Sequence, residues 1–197
     1  MTDFSKFNFR PVCFSTNFQN FSSVSILRQY FMTSQCFNIN CVKEYHITFK
    51  NKITLESSGQ VEVSNTFYEI SSFTKSNPVC EKADCFLIFF DLESNESFRE
   101  INKILKYIND NCDREKKVFM IAIYTNEENF QNFSDDNVKS LFANNNLKNY
   151  SILNVNMDSS DELAKTIDNI TQEIIQDKID LINLMDTNDS SSKCIII

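Results

Sequence analysis

The clearest pattern of apolar and polar positions lies in the middle of the chain and predicts a strand, a helix and a second strand. Cys85–Phe90 is a short, unbroken apolar run, as expected of a strand buried on both faces of a parallel sheet. The helix that follows has apolar residues at intervals of three and four positions, namely Phe98, Ile101, Leu105 and Ile108. Val118–Tyr124 is a second apolar run. Such a unit implies parallel strands joined by a right-handed crossover.

The same alternation continues towards the carboxyl end of the chain. Val138, Leu141 and Phe142 predict a short helix, and Tyr150–Val155 predicts a strand. Asp158 begins a polar segment that is typical of a helix start, and an apolar stripe then runs to Ile174.

Upstream, the pattern predicts a first strand, a helix and a hairpin. Arg10–Thr16 is the strand and Ser25–Phe31 the helix. Tyr45–Leu55 and Gln60–Ser64 predict a β-hairpin that turns near Gly59, the only glycine in the chain. The complete order predicts an α/β fold: a doubly wound, mostly parallel six-stranded sheet with one antiparallel edge hairpin and helices on both faces.

The organisation predicted for the 197 residues is one domain with two short flanking segments. Residues 1–9 form an N-terminal extension, residues 10–185 the domain, and residues 186–197 a polar, flexible tail. No run approaches the roughly 20 apolar residues of a membrane-spanning helix, and the amino terminus has no apolar signal-peptide core. We therefore expect a cytoplasmic protein.

Charge and cysteine content exclude some functions. The net charge of −8 and the absence of a cluster of Lys and Arg argue against nucleic-acid binding. The seven cysteines include two pairs with C-x4-C spacing, Cys36/Cys41 and Cys80/Cys85, which raises the alternative of a zinc site. The chain has no tight C-x-x-C and only one histidine, so packing of reduced thiols is the favoured explanation and no metal is expected.

The order of elements and several local phrases resemble the Ras superfamily of small GTPases, particularly its Ras and Rab branches. Ala83–Phe98 is similar to the family's fourth strand, the turn after it and the next helix. Ser25–Phe31 is similar to the helix after the phosphate loop, and Ile47–Lys50 to the strand after switch I. The likeness covers roughly residues 10–176 and implies the small-GTPase, P-loop NTPase-like fold, but these phrases carry no catalytic group.

The phosphate loop that this resemblance implies is replaced. In the family motif G-x-x-x-x-G-K-[ST], glycines turn backbone N–H groups inward, the lysine meets the phosphates and the hydroxyl holds Mg²⁺. The matching stretch begins at Asn17 and has Ser22 in place of a glycine, Ser23 in place of the lysine and Val24 in place of the hydroxyl. A shifted alignment does not restore the motif, because residues 7–42 contain no lysine.

The other nucleotide motifs are altered as well. The D-x-x-G motif falls on residues 65–68, with Asn65 in place of the aspartate, and Glu69 stands where a glutamine orients the attacking water. The switch I threonine falls near Glu44. The guanine-reading N-K-x-D motif becomes residues 124–127, where Glu127 alone keeps a carboxylate, and S-A-K corresponds to about residues 155–157. Losing three or four charge-assisted bonds at about 1.5–3 kcal/mol each weakens a complex by several powers of ten.

The last four residues, Cys194–Ile197, fit the C-a-a-X prenylation signal. A final Ile is nearest the Leu class, which favours geranylgeranyl over farnesyl. Residues 176–193 contain four aspartates and two lysines, so basic residues do not reinforce the anchor. We expect reversible attachment to the cytosolic face of a membrane through Cys194, with a prenyl-binding carrier or a membrane-bound partner. An apolar C-terminal strand is the alternative.

These features predict a Ras-like homologue with degenerate GTP-binding motifs that acts as a prenyl-anchored, non-catalytic protein-interaction module without a cofactor. Its partner surface is the switch-equivalent region, about residues 32–50 and 65–80, where Phe67, Tyr68 and Phe73 either anchor a partner or fill the empty pocket. The alternative is a divergent GTPase switch that holds GTP or GDP with Mg²⁺ through Glu127 and backbone amides near Asn20.

Overall fold

The computed structural model describes residues 6–16, 26–27, 38–43, 46–55, 59–70, 77–125 and 135–191. The side chains of residues 38–43, 135, 160 and 186–191 lie outside this description. Of the predicted helix at Ser25–Phe31, only Ile26 and Leu27 are described, and both are helical.

The described residues form eight strands and four helices longer than these two residues. The strands are β1 (Lys6–Phe9), β2 (Pro11–Ser15), β3 (Asn38–Lys43), β4 (His46–Leu55), β5 (Gly59–Glu69), β6 (Cys85–Asp91), β7 (Val118–Tyr124) and β8 (Tyr150–Asn156). The helices are α1 (Pro78–Glu81), α2 (Asn95–Asn111), α3 (Asp135–Asn144) and α4 (Ser160–Ser191).

All eight strands belong to one sheet with the order β3-β4-β5-β2-β6-β7-β8, and β1 also pairs with β5. Pairing is parallel from β5 through β8 and antiparallel in β3–β4 and β4–β5. This confirms the predicted doubly wound, mostly parallel α/β architecture with an antiparallel hairpin. Two strands were not predicted. Strand β1 pairs with β5 beside β2, which pairs with the same strand further along it. Strand β3 pairs with β4 and extends the antiparallel side of the sheet beyond the hairpin.

The break between β1 and β2 is held by side-chain hydrogen bonding. The Arg10 N–H donates to Asp84 Oδ2 at 2.7 Å, and the Asp84 N–H donates to the Arg10 carbonyl at 2.9 Å. Lys178 of α4 joins the same point, because its Nζ lies 2.8 Å from Asp84 Oδ1 and 2.8 Å from the Asn8 carbonyl oxygen. Asp84, which directly precedes β6, thus links the junction between β1 and β2 to α4.

The sheet separates two apolar cores. Successive residues of the parallel strands alternate between them: Cys85, Leu87 and Phe89 face α4, whereas Phe86, Ile88 and Phe90 pack with α2 and α3. Burial of both faces explains the continuous apolar runs of β6 and β7.

The long helix α4 extends further than the sequence pattern indicated. Its apolar stripe was predicted to Ile174, but Ile175 and Ile179 are also buried and the helix ends at Ser191. The final turns of α4 therefore occupy positions that the sequence assigned to a flexible tail from residue 186.

Candidate functional site at the carboxyl edge of the sheet

The parallel strands end at one edge of the sheet, and open α/β sheets bind their ligands outside this edge. Here it comprises the residues at and after the ends of β2, β5, β6, β7 and β8 together with the first turns of α2 and α4. We call it the carboxyl edge. In the resemblance to small GTPases, this is where the nucleotide would lie, so its polar groups decide which chemistry is available.

The end of β2 is bonded to the beginning of α2. The buried Thr16 hydroxyl is hydrogen-bonded to the Ser97 hydroxyl, and Ser97 is fully buried. The backbone N–H of Asp91, the last residue of β6, donates to Ser97 Oγ at 2.8 Å. Ser94 caps α2 by accepting the Ser97 N–H at 3.2 Å, which places the hydroxyl between the two strands.

Past β7, the position that matches the lysine of the guanine-reading motif holds Thr125. Both its N–H and its hydroxyl donate to Glu93 Oε1, at 3.0 Å and 2.9 Å. Tyr124, in the place of the motif's asparagine, is buried in the core that faces α2 and α3. Both described positions of this motif are therefore engaged in contacts within the protein.

The end of β8 and the loop after it, which include the residues that correspond to the S-A-K motif, are bonded to the start of α4 and to one another. The Asn156 N–H donates to Glu162 Oε2 at 2.7 Å, and the Asp158 N–H donates to Asn156 Oδ1 at 2.9 Å. The Met157 N–H donates to the Tyr124 carbonyl at 2.9 Å. The three N–H groups of this loop point to acceptors of the chain itself.

The described part of the carboxyl edge is acidic. Residues 15–16, 69–70, 91–97, 124–125 and 156–162 include seven carboxylates and no Lys or Arg. The carboxylates belong to Glu69, Asp91, Glu93, Glu96, Asp158, Asp161 and Glu162.

Asn65 does not lie at this edge. It pairs with Phe9 on one side and Phe49 on the other, and it is only 1% exposed. Phe9 precedes Thr16 by seven positions, which is about 23 Å along a strand. Asn65 instead donates from Nδ2 to Asn51 Oδ1 at 2.7 Å, and the Asn51 Nδ2 lies 3.4 Å from Asp168 Oδ1 of α4. Burial raises the pKa of Asp168.

Glu69 lies at the carboxyl edge as the last residue of β5, and it pairs with Cys13, three positions before Thr16. The remaining predicted nucleotide-pocket residues lie outside the described residues: Asn17, Asn20, Ser22, Ser23, Val24, Glu44 and Glu127. The proposed lipidation residue Cys194 also lies outside them.

The switch-equivalent surface is described in part. Phe67 is fully buried, stacks on Phe49 at 5.5 Å between ring centroids and meets the Phe9 ring edge-on at 5.8 Å. It is therefore a core residue and not a partner anchor. Tyr68 is half-buried and its ring lies 5.7 Å from that of His46, whereas Phe73 lies outside the described residues.

The four cysteines whose side chains are described, Cys13, Cys80, Cys85 and Cys112, pack in or against the cores. Cys80 and Cys85 of one C-x4-C pair lie on opposite faces of the sheet, and the residues described contain no cluster of three potential metal ligands. Cys80 instead meets Cys112 at the end of α2. A hydrogen bond from the Cys112 thiol lowers the pKa of Cys80, and burial raises the pKa of the neighbouring Tyr107 to about 12.

Comparison with known proteins identifies the fold family. No curated protein sequence matches the chain. Among protein-family models, that of the Ras family matches residues 69–180, more than half of the chain. The matched segment runs from the end of β5 into α4 and includes Ser97, Thr125 and Glu162. The chain therefore belongs to the Ras family.

Proposed function

We propose that this Ras-family chain no longer uses GTP and acts as a prenyl-anchored, non-catalytic protein-interaction module. One observation carries the proposal: polar groups at the carboxyl edge are hydrogen-bonded to one another, and the described segments of this edge contain seven carboxylates and no Lys or Arg. The hydrogen bonds of Thr16, Thr125 and Asn156 to Ser97, Glu93 and Glu162 support it most directly.

Charge explains why this edge is unfavourable for a nucleotide. A triphosphate carries about four negative charges, which P-loop proteins offset with Mg²⁺, a lysine and oriented N–H groups. Here the ligand would meet seven carboxylates. The sequence segments that follow β2, β5 and β7 are residues 17–25, 71–76 and 126–134, and Lys75 is the only basic residue in these three segments. This charge balance supports the proposal that the edge does not hold a nucleotide.

Binding would also require existing hydrogen bonds to be exchanged. To engage a base, the N–H groups of Thr125 and Asn156 would have to leave Glu93 and Glu162, and each of the two carboxylates would lose one donor. Hydrogen bonds to charged groups contribute about 1.5–3 kcal/mol each, and about 1.4 kcal/mol corresponds to a tenfold change in affinity. Two exchanges therefore cost about two to four powers of ten before any contact with phosphate is counted.

Membership of the Ras family supports the alternative of a working switch, because proteins of this family typically bind GTP or GDP with Mg²⁺. Isothermal titration of the purified chain with GTP and GDP in the presence of Mg²⁺ separates the two functions. The proposal predicts no saturable heat at concentrations up to about 1 mM. Micromolar or tighter binding of either nucleotide would overturn it.

The course of α4 indicates how a lipid on Cys194 would orient the domain. Glu162, in the first turn of α4, contacts the end of β8. Lys178 contacts Asp84, directly before β6 begins, and Asn8, which is near the end of β1 and three positions before β2 begins. The helix therefore leads the chain away from the carboxyl edge towards the opposite, amino edge. Prenylation at Cys194 would hold the amino edge towards the membrane and leave the switch-equivalent surface exposed to a partner.

Membrane attachment is tested separately from nucleotide binding. We expect the Cys194→Ser chain to move from the membrane fraction to the soluble fraction of cells that prenylate the parent. Equal membrane partition of the two proteins would show that Cys194 is not the anchor. No helix among the described residues has the length and apolarity needed to cross a bilayer.

The partner surface proposed here is the switch-equivalent region, about residues 32–50 and 65–80, through which Ras-family proteins bind effectors. Its described part includes β3, the terminal strand in the sheet order. A terminal strand offers backbone donors and acceptors to an added strand. Because no γ-phosphate would control this surface, we expect binding of a protein partner that does not depend on GTP.

A further inference from the structure

Exposed large apolar side chains are concentrated at one place in the described residues. There are four of them: Met157 is 38% exposed, Leu181 55%, Leu184 62% and Met185 59%. Three of the four lie within five positions near the end of α4. We call Leu181, Leu184 and Met185 the α4 stripe.

The three residues share one helix face, because they are separated by three and four positions. Ile179, which is 2% exposed, is the last residue of α4 that belongs to a core. Lys178, one position earlier, makes the contacts to Asn8 and Asp84. The α4 stripe therefore begins where the helix passes the amino edge of the sheet, and the domain core does not cover it.

The size and charge of this region argue against a second copy of the chain as its occupant. The stripe has three side chains, whereas a stable protein interface buries about 800 Å² and about 20–30 residues on each partner. The same turns carry Asp177, Asp180, Asp186 and Asp189, so two copies would bring like charges together. A bilayer needs no such area, because it accepts single apolar side chains at headgroup depth.

The position of Cys194 favours a bilayer. Six residues of helix from Met185 to Ser191 span about 9 Å, and three further residues add at most about 10 Å. A lipid on Cys194 would thus lie within about 20 Å of the α4 stripe. One prenyl chain alone anchors a protein only marginally, and stable attachment takes a second signal.

We propose that the α4 stripe is this second signal: it inserts into the headgroup region of a neutral, zwitterionic bilayer beside the prenyl group. The inference rests on the proposed prenylation of Cys194. Lys178 already pairs with Asp84, so the four aspartates near the stripe outnumber the remaining basic residue, Lys193. Anionic lipid therefore repels this helix, in contrast to anchors that use a basic segment.

The test measures partition of the full, prenylated chain onto phosphatidylcholine vesicles by flotation. The double variant Leu181→Gln/Met185→Gln keeps good helix formers at exposed positions and removes two apolar contacts. We expect its partition to fall at least about tenfold. The matched control Met157→Gln removes the fourth exposed residue, at the opposite edge, and should stay within about twofold of the parent. Added phosphatidylserine should weaken binding of the parent.

The outcomes separate this inference from the anchor itself. If the double variant partitions like the parent while Cys194→Ser does not bind, the α4 stripe is not a membrane contact and the anchor stands. If Cys194→Ser binds vesicles as well as the parent, Cys194 is not the anchor, and the inference fails because it requires a prenyl group beside the stripe. Stronger binding with phosphatidylserine, or a dimer that sedimentation shows to depend on the stripe, would also overturn the inference.

Discussion

Replacing Ser97 with alanine removes the side chain that joins three elements at the carboxyl edge. Its hydroxyl bonds to the Thr16 hydroxyl after β2 and accepts the Asp91 N–H at 2.8 Å at the end of β6. The α2 cap is retained, because the Ser97 N–H donates to Ser94 and alanine keeps this N–H. The substitution thus tests the bonds at the edge without removing the helix cap.

The expected loss of stability follows from burial. Ser97 is 0% and Thr16 2% exposed, so the groups left behind cannot easily turn to water. A buried polar group left without its partner costs about 1–3 kcal/mol, and two such groups remain. Thr16 keeps a 3.5 Å contact to the Phe89 carbonyl, which is a weak hydrogen bond and lowers the total. We expect the free energy of unfolding to fall by about 2–3 kcal/mol and the Tm by roughly 4–12 °C.

Denaturant unfolding with a fixed m-value measures this change. Ser140→Ala is the matched control, because Ser140 is exposed and bonds only locally to the Asp136 carbonyl at 2.8 Å. It should change the free energy of unfolding by less than about 0.5 kcal/mol. A Ser97→Ala protein as stable as the Ser140→Ala protein would refute the conclusion that these bonds fix the carboxyl edge.

Two further predictions use the shifted pKa values. Burial raises the pKa of Asp168, so the stability that this carboxyl contributes is present at low pH and is lost as pH rises through its folded-state pKa. We expect Asp168→Asn to flatten this decline in the free energy of unfolding, measured by denaturant titrations between acidic and neutral pH. An unchanged pH profile would contradict this prediction. Cys112→Ala should raise the pKa of Cys80, because the hydrogen bond that lowers this pKa is removed. The pKa is measured by NMR titration of the Cys80 Cβ, and a titration midpoint equal to that of the parent would contradict the assigned cause.

The sequence predicted the parallel half of the fold closely. Val118–Tyr124 was predicted as β7 with the bounds that the structure shows, and β6 and β8 each extend one residue beyond their predicted ends. Strands β6 and β7 are buried on both faces, so their apolar residues are contiguous. Strand β8 is mostly half-buried and includes Ser151 and Asn154, but it lies between two helix patterns.

The antiparallel half was harder to predict, because buried and more exposed residues alternate along its strands and leave no continuous apolar run. Strand β5 was predicted to end at Ser64 but continues to Glu69, with Val63 and Phe67 buried and the residues between them more polar. Asn65 is the exception that concealed this continuation, since it is a polar residue at a buried position of the strand. Strand β3 contains Asn38, Asn40 and Lys43, which are unfavourable in a central strand but tolerated at the end of a sheet.

For the candidate site, the sequence could predict only that the nucleotide-binding residues of the family motifs are replaced. The spacing of the motifs indicates which nucleotide-binding groups are replaced, but it predicts that Asn65 lies at the site, whereas the strand register places that residue in the middle of the sheet. The bonds between Glu93 and Thr125 join residues 32 positions apart, so no local pattern indicates them. Glu162 had a local signal: Ser159 and Glu162 have capping-box spacing, although the carboxylate reaches past Ser159 to the Asn156 N–H.

The central claim is that this Ras-family fold holds no nucleotide, and the most direct measurement is the nucleotide content of the protein as isolated. A nucleotide bound very tightly would co-purify and escape a titration, so the chain as isolated should be denatured with acid and the supernatant analysed by ion-exchange chromatography. We predict far less than about 0.1 mole of guanine nucleotide per mole of protein, because the acidic carboxyl edge costs several powers of ten in affinity. Release of about one mole of GTP or GDP per mole of protein would contradict the account.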